Sequence, residues 1–157
     1  MPVDRRLFLT LFTSSQYVGT IVDGQLSAVG LPPHLFGLLS HISRHAPVSP
    51  SAISSVSGIP MTTLRDNIQR LVDRGLARRD PNPADARSYL LALTRKGELL
   101  ARAADPALLA AYLALEARLP RSLDDYEQTL SELNRALAEV AELTPLPVGS
   151  ESTGASF

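Results

Sequence analysis

Apolar side chains recur every three or four positions along most of the chain, the spacing that places them on one face of an α-helix. This pattern predicts a first helix over about residues 4–29 and a second over residues 34–45, each followed by proline. It returns in a helix that Thr94 caps and in an amphipathic helix over residues 122–142. Pro106 indicates either a kink in the first of these or a fresh helix start, and we favour one long, kinked helix. We therefore expect a mostly helical fold.

The middle of the chain predicts two helices in close succession. Ser49 and Pro50 are typical of a helix start, as N-cap and first helical residue, and Gly58 ends this short third helix. A fourth helix over residues 60–74 ends at Gly75, which suits a left-handed C-cap. This arrangement predicts a helix-turn-helix.

The two faces of these helices differ in chemistry. The apolar residues expected to turn inward are Ile53, Val56, Met61, Leu64, Ile68, Leu71 and Val72. The outward positions of the fourth helix are polar and partly cationic: Thr62, Thr63, Asp66, Gln69, Arg70 and Asp73, with Arg65 on the flank.

Two short strands are predicted directly after the fourth helix, over residues 76–80 and 88–93. The loop between them, PNPADAR, contains two prolines and favours a turn. A hairpin that follows a helix-turn-helix is a wing.

The net charge of −1 conceals an uneven distribution. Residues 1–60 carry +1, residues 61–96 carry +4 and residues 97–157 carry −6. Fourteen of the fifteen basic residues are arginine, whose planar fork pairs with phosphate oxygens or guanine edges, although a codon bias towards arginine would give the same excess. The basic middle indicates a surface that meets an anion.

Composition narrows the function classes. The chain of 157 residues suits one compact domain and has no cysteine, which excludes disulfides, thiol catalysis and Cys-ligated metals. No apolar run approaches a membrane span, so we expect a soluble, cytoplasmic protein with no membrane partner. No catalytic or nucleotide-binding motif occurs, and Asp124 and Asp125 diverge on their helix, so we predict neither an enzyme nor a cofactor.

The segment GLARRDPNPADARSYLLALTRKGELL resembles the wing of the multiple-antibiotic-resistance regulator (MarR) family. That pattern has a Gly-Leu turn, a basic strand, an Asp-x-Arg wing tip, an apolar strand and a Leu-Thr-x-x-Gly helix start. Asp85, Arg87, Leu93, Thr94 and Gly97 fall in register with it. The resemblance extends over about residues 4–142 in the order of the elements.

The resemblance implies a winged helix-turn-helix that binds double-stranded DNA. The fourth helix would lie in the major groove, and Arg87 would enter the minor groove with its guanidinium held by Asp85. The other candidate contacts are Ser49, Ser51, Thr62, Thr63, Arg65, Asp66 and Arg70. Asp66 and Pro60 depart from the family pattern. The carboxylate of Asp66 repels phosphate, and Pro60 removes a side-chain cap and a backbone N–H that could have met a phosphate. Phosphate anchoring is therefore expected at Ser49 and Ser51 instead.

The apolar terminal helices need a partner to cover them, and the resemblance implies an intertwined homodimer. Residues 4–30 and 98–142 would form the dimerisation region and residues 33–97 the DNA-binding region, with residues 143–157 as a disordered tail. Recognition helices about 34 Å apart would then meet successive major grooves of a palindromic operator. A monomeric helical layer is the alternative.

The second helix carries all three histidines, His34, His41 and His45. With Tyr17, they are candidates for lining a cleft that binds a small aromatic or phenolic effector, as in members of the family. Surface or structural histidines are the alternative, and we predict no metal site because no acidic cluster accompanies them. The predicted function is a ligand-relieved repressor; the alternative is a winged-helix interaction or architectural module without sequence-specific DNA binding.

Overall fold

The computed structural model describes residues 5–26 and 30–143. Within this part the chain forms helices and two strands in the order α1 (Arg6–Leu26), α2 (Pro33–His45), α3 (Pro50–Ser57), α4 (Met61–Asp73), β1 (Ala77–Pro81), β2 (Tyr89–Leu93), α5 (Arg95–Glu116) and α6 (Leu123–Leu143). The expected fold, a mostly helical winged helix-turn-helix with a two-stranded wing, is confirmed. Helix α5 runs through Pro106 as one helix, so no fresh helix starts at this proline.

The helix ends follow from local chemistry. Ser49 caps α3, since its hydroxyl accepts the backbone N–H of Ala52 at 3.2 Å, and Thr94 caps α5 by accepting the N–H of Gly97 at 3.1 Å. Gly58 and Gly75 adopt φ values of 66° and 67°, the left-handed conformation that glycine tolerates best. Helix α4 starts without a side-chain cap, because Pro60 occupies that position.

The wing is an antiparallel hairpin in which Ala77 pairs with Leu93 and Pro81 with Tyr89. Both strands begin one residue later than predicted, and β1 also ends one residue later. Val48 adds a one-residue bridge on the other side of β2, exchanging backbone hydrogen bonds of 3.1 and 2.8 Å with Leu91. The segment between α2 and α3 is thereby fixed to the wing.

One hydrophobic core joins the helix-turn-helix to the wing. Its fully buried side chains are Leu26, Leu35, Leu38, Leu39, Ile42, Ile53, Leu64, Ile68, Leu71 and Leu91. Helix α2 contributes four of these from a single face, which makes it the central element of the core. The inward assignment of α4 is confirmed, since Met61 and Val72 pack at its edge.

Val56 is the exception to the inward assignment. Its side chain is 65% exposed, whereas Ile53 of the same helix is fully buried. The two residues differ by about 60° around a helix of 3.6 residues per turn, and α3 has only eight residues. A helix this short buries only a narrow stripe of its surface in the core, and Val56 lies outside that stripe.

The chain divides into two compact units, one ending at Arg118 and the other beginning at Leu119. The second contains α6, which Ser122 caps by accepting the N–H of Asp125 at 3.2 Å. Helix α6 reaches Leu143, the first residue of the predicted tail. Residues 144–157, like the predicted ends of the first helix at Asp4 and residues 27–29, lie outside the described part.

In the first unit, α1 and the second half of α5 expose large apolar side chains, among them Phe8, Phe12, Val18, Leu109 and Leu113. None of the helices in the described residues has the length and apolar character to cross a membrane.

Candidate nucleic-acid interface

The outward face of α4 is polar and open, as predicted. Thr62, Thr63, Asp66 and Arg70 are all exposed, and so is Arg65 at the flank. No hydrogen bond or ion pair within the described part of the chain engages the side chains of these five residues. They are free to contact an external partner.

Four of the predicted contact residues converge on one small pocket. The lining of a concavity of about 180 Å³, between the start of α3, the first turns of α4 and the loop end of the wing, includes Arg65, Arg87, Ser49 and Ser51. The hydroxyls of Ser49 and Ser51 lie 3.0 Å apart. Two arginines and two serines therefore border one concavity, and both residue types carry donors that suit a phosphate, while most of the exposed lining is apolar.

The wing tip is held by two local hydrogen bonds, one from the backbone to a side chain and one between side chains. Asp85 Oδ1 accepts the backbone N–H of Arg87 at 3.0 Å, and Asn82 donates through Nδ2 to Ser88 Oγ at 2.6 Å. The expectation that Asp85 holds the guanidinium of Arg87 is therefore wrong. The carboxylate instead closes a turn on the main chain, a habitual role for aspartate, and leaves the Arg87 side chain exposed.

Three side chains connect α4 to the wing. Arg79 of β1 donates through Nη2 to Gln69 Oε1 at 2.8 Å, and its guanidinium carbon lies 5.1 Å from the ring centre of Tyr89 on β2. Gln69 in turn donates through Nε2 to Asp73 Oδ1 at 2.7 Å. Gln69 faces outward, as predicted, yet both ends of its amide are already hydrogen-bonded.

A second concavity, of about 640 Å³, opens between α2 and α5. Its polar side chains include His41, His45, Arg44 and Asp105, and apolar surface comes from Phe36 and Leu108, among others. The imidazole rings of His41 and His45 stack with their centres 6.3 Å apart. Partial burial first, and then the charges of His45 and Arg44, lower the pKa of His41 below its ordinary value of 6.5.

The structure separates the four predicted effector residues. His41 and His45 line this cleft, whereas His34 is exposed at the first turn of α2 and Tyr17 is 68% exposed on α1. No group of three or more potential metal ligands occurs among the residues that the structure describes.

Comparison with known proteins finds one family model that is similar to part of the chain. Residues 29–88, which include the helix-turn-helix and most of the wing, match the model of the MarR family. A protein of Thauera aromatica, named as a transcriptional regulatory protein for the hcr operon, is 28% identical over 107 residues. The match covers 68% of this chain and spans 57% of the length of that relative.

Solved MarR-type structures have the same fold. A mutant MarR of E. coli crystallised with operator DNA matches this chain with a TM-score of 0.72 at 23% identity, covering 82% of this chain and 93% of its own. The M. tuberculosis regulator MOSR, solved with DNA, gives 0.73 at 24%, covering 84% and 96%. Staphylococcus aureus MarR with salicylate and kanamycin gives 0.68 at 20%, covering 89% and 93%.

Sequence reasoning missed several residues of the two sites. Tyr89 in the smaller concavity and Arg44 and Asp105 in the cleft carry no motif that marks them. Arg79 belongs to the basic strand of the wing pattern, but its partner Gln69 lies ten residues earlier. Their proximity depends on how α4, α5 and the hairpin pack.

Proposed function

We propose that this chain is a non-enzymatic transcriptional regulator that binds a specific double-stranded operator as a homodimer and is relieved by a small effector. The observation that carries the proposal is the grouping of Arg65, Arg87, Ser49 and Ser51 around one concavity beside the open face of α4. Phosphate contacts position a protein on DNA, and side chains in the major groove read the bases. The two surfaces adjoin here.

Each predicted contact residue then has a task. Thr62, Thr63 and Arg70 face the major groove, where threonine can contact a thymine methyl group and arginine can bond guanine. Asp66 tunes the preference, since a carboxylate accepts from cytosine and repels phosphate. Arg87 extends from the wing towards the minor groove or the phosphates beside it.

The exposed apolar residues of α1 and α5 support the homodimer. Phe8, Phe12 and Leu113 are each more than half exposed, and large apolar side chains grouped on a face mark an association surface. A second copy of the chain would cover them. The mass of the purified protein in solution tests this part directly.

The cleft between α2 and α5 supports effector binding. Its size suits a small aromatic acid, for which imidazole and guanidinium groups supply donors and Phe36 and Leu108 supply apolar contact. Staphylococcus aureus MarR was solved in complex with salicylate and kanamycin, and salicylate, a small aromatic acid, is the first compound to test here. A ligand in this cleft would change which positions are populated by the reading head, meaning the helix-turn-helix with its wing, and would weaken operator binding.

An interaction or architectural module without sequence preference is the competing function. Such a module has no need of a basic reading head with an arginine at the wing. The test is a titration of the protein with its own upstream intergenic DNA and with a scrambled duplex of equal length, at about 50 and 200 mM salt. Preference for the native duplex at both salt concentrations is expected; equal, salt-labile binding to both would favour the architectural module.

Arg87→Ala should weaken operator binding and reduce the slope of log K against log salt by about one unit, because about one phosphate-like contact is lost. Arg102→Ala, an exposed arginine on α5, is the matched control and should change neither quantity. The dimer should stay intact in both variants. An unchanged affinity for Arg87→Ala would contradict the wing assignment.

A further inference from the structure

Arg79 occupies an unusual position for a basic residue in this reading head. It pairs with Leu91 across the wing hairpin, and directly paired residues share one face of a sheet. Leu91 is fully buried, so Arg79 starts from the core-facing side of β1. Its guanidinium nevertheless reaches the protein surface, where it is exposed.

The guanidinium ends between two elements rather than pointing away from both. On one side Nη2 donates to Gln69 of α4 at 2.8 Å, and on the other the group lies over the ring of Tyr89. Tyr89 also lines the concavity that holds Arg65 and Arg87. The Arg79 side chain therefore contacts α4 and the first residue of β2 together.

The remaining polar contacts favour this pose. Asp73 accepts from Gln69 Nε2 at 2.7 Å, which orients the amide so that its oxygen faces Arg79. One N–H and one lone pair of the amide are thus committed, and these two hydrogen bonds oppose the rotation by which Gln69 would turn its amide towards an adenine.

We propose that Arg79 is a positioning residue, which fixes the wing relative to α4 and holds Gln69 out of base readout. This inference rests on the proposed DNA-binding function only where it concerns affinity. The contacts of Arg79 with Gln69 and Tyr89 are a property of the DNA-free protein. Arginine is required because its planar fork can donate along one edge while its face stacks on an aromatic ring, and the compact ammonium of lysine lacks that plane.

Arg79→Lys separates this role from a simple charge effect, since it keeps the charge and removes the planar group. In the DNA-free protein, amide order parameters over residues 82–88 should fall, and hydrogen exchange there should accelerate severalfold. Arg102→Lys should leave both unchanged. Wild-type order in Arg79→Lys would overturn the proposal, whether or not the protein binds DNA.

DNA titrations supply the second readout. Arg79→Lys should lower operator affinity about five- to tenfold with an unchanged salt slope, because ordering is lost and no phosphate contact is removed. If Arg79 instead touches phosphate, Arg79→Lys should bind nearly as wild type and Arg79→Ala should lose about one unit of slope. That result would overturn the positioning role.

Gln69→Ala tests the second half of the proposal against single-base operator variants. Affinity should fall by a similar factor for every variant, and the double change with Arg79→Lys should cost no more than either single change. A loss confined to one base position would show that Gln69 reads that base. Absence of any operator preference in the wild type would instead refute the proposed function and leave the wing measurements to decide on Arg79.

Discussion

Gly97, in the first turn of α5, is a position where a single methyl group should have a large effect. A Cβ atom built there would collide with the carbonyl oxygen of Leu76 and would lie 3.0 Å from its carbonyl carbon. The obstacle is backbone, which cannot rotate away as a side chain can. Gly97→Ala therefore requires the turn after α4 to separate from the start of α5.

The magnitude follows from what that separation breaks. Thr94 donates its N–H to Leu76 O at 3.0 Å and its hydroxyl to Gly75 O at 2.6 Å, and each such bond contributes about 1 kcal/mol. Forcing a methyl group into a packed site costs about 1–3 kcal/mol more. The better helix propensity of alanine returns about 1 kcal/mol. We expect a net loss of about 3 kcal/mol in the free energy of unfolding.

Denaturant and thermal unfolding at a fixed protomer concentration measure this loss, which corresponds to a fall in Tm of about 10 °C for a domain of this size. Gly37→Ala is the matched control. Gly37 is also helical, on α2, but a Cβ atom there meets nothing within 4 Å, so the change should raise stability by up to about 1 kcal/mol. A Gly97→Ala protein within about 1 kcal/mol of wild type would refute the reasoning.

Two further predictions concern the dimer and the cleft. Deletion of residues 122–157 should give monomeric or insoluble protein by light scattering, and a well-folded dimer would remove α6 from the interface. Because the pKa of His41 is lowered in the folded state, the unfolded chain binds more protons at that position, and its contribution to stability should be lost as pH falls below 6.5. The fall in unfolding free energy from pH 7.5 to 5.5 should therefore be smaller in His41→Gln, and equal falls in both proteins would contradict the assignment.

The sequence predicted those parts of the fold that local chemistry decides. Ser49 and Thr94 cap helices through hydroxyl groups within three residues of the N–H they accept, and Gly75 ends α4 by its own φ angle. Such features need no knowledge of distant residues. The same holds for the inward face of α4, where one helical period fixes which residues meet the core.

The interface was less predictable because its contacts join residues that are distant in sequence. Arg87 comes close to Ser49 only because Val48 bridges to Leu91 and fixes the segment before α3 against the wing. No short pattern encodes a one-residue bridge. The Asp85 carboxylate could equally bond a guanidinium or a backbone N–H by its spacing, and only the turn geometry decides for the backbone.

Helix α2 is the element through which the cleft and the reading head would communicate. It carries His41 and His45 along the cleft, next to Leu38 and Ile42, which are fully buried in the core shared with α4 and the wing. Packed cores move between discrete arrangements rather than deforming gradually. An effector that displaces α2 would therefore change the packing of α4 against the core directly, with no other element between them. Salicylate should then weaken operator binding in the wild type more than in a variant whose cleft is filled, such as Gly37→Leu, whose operator affinity without ligand is the necessary control.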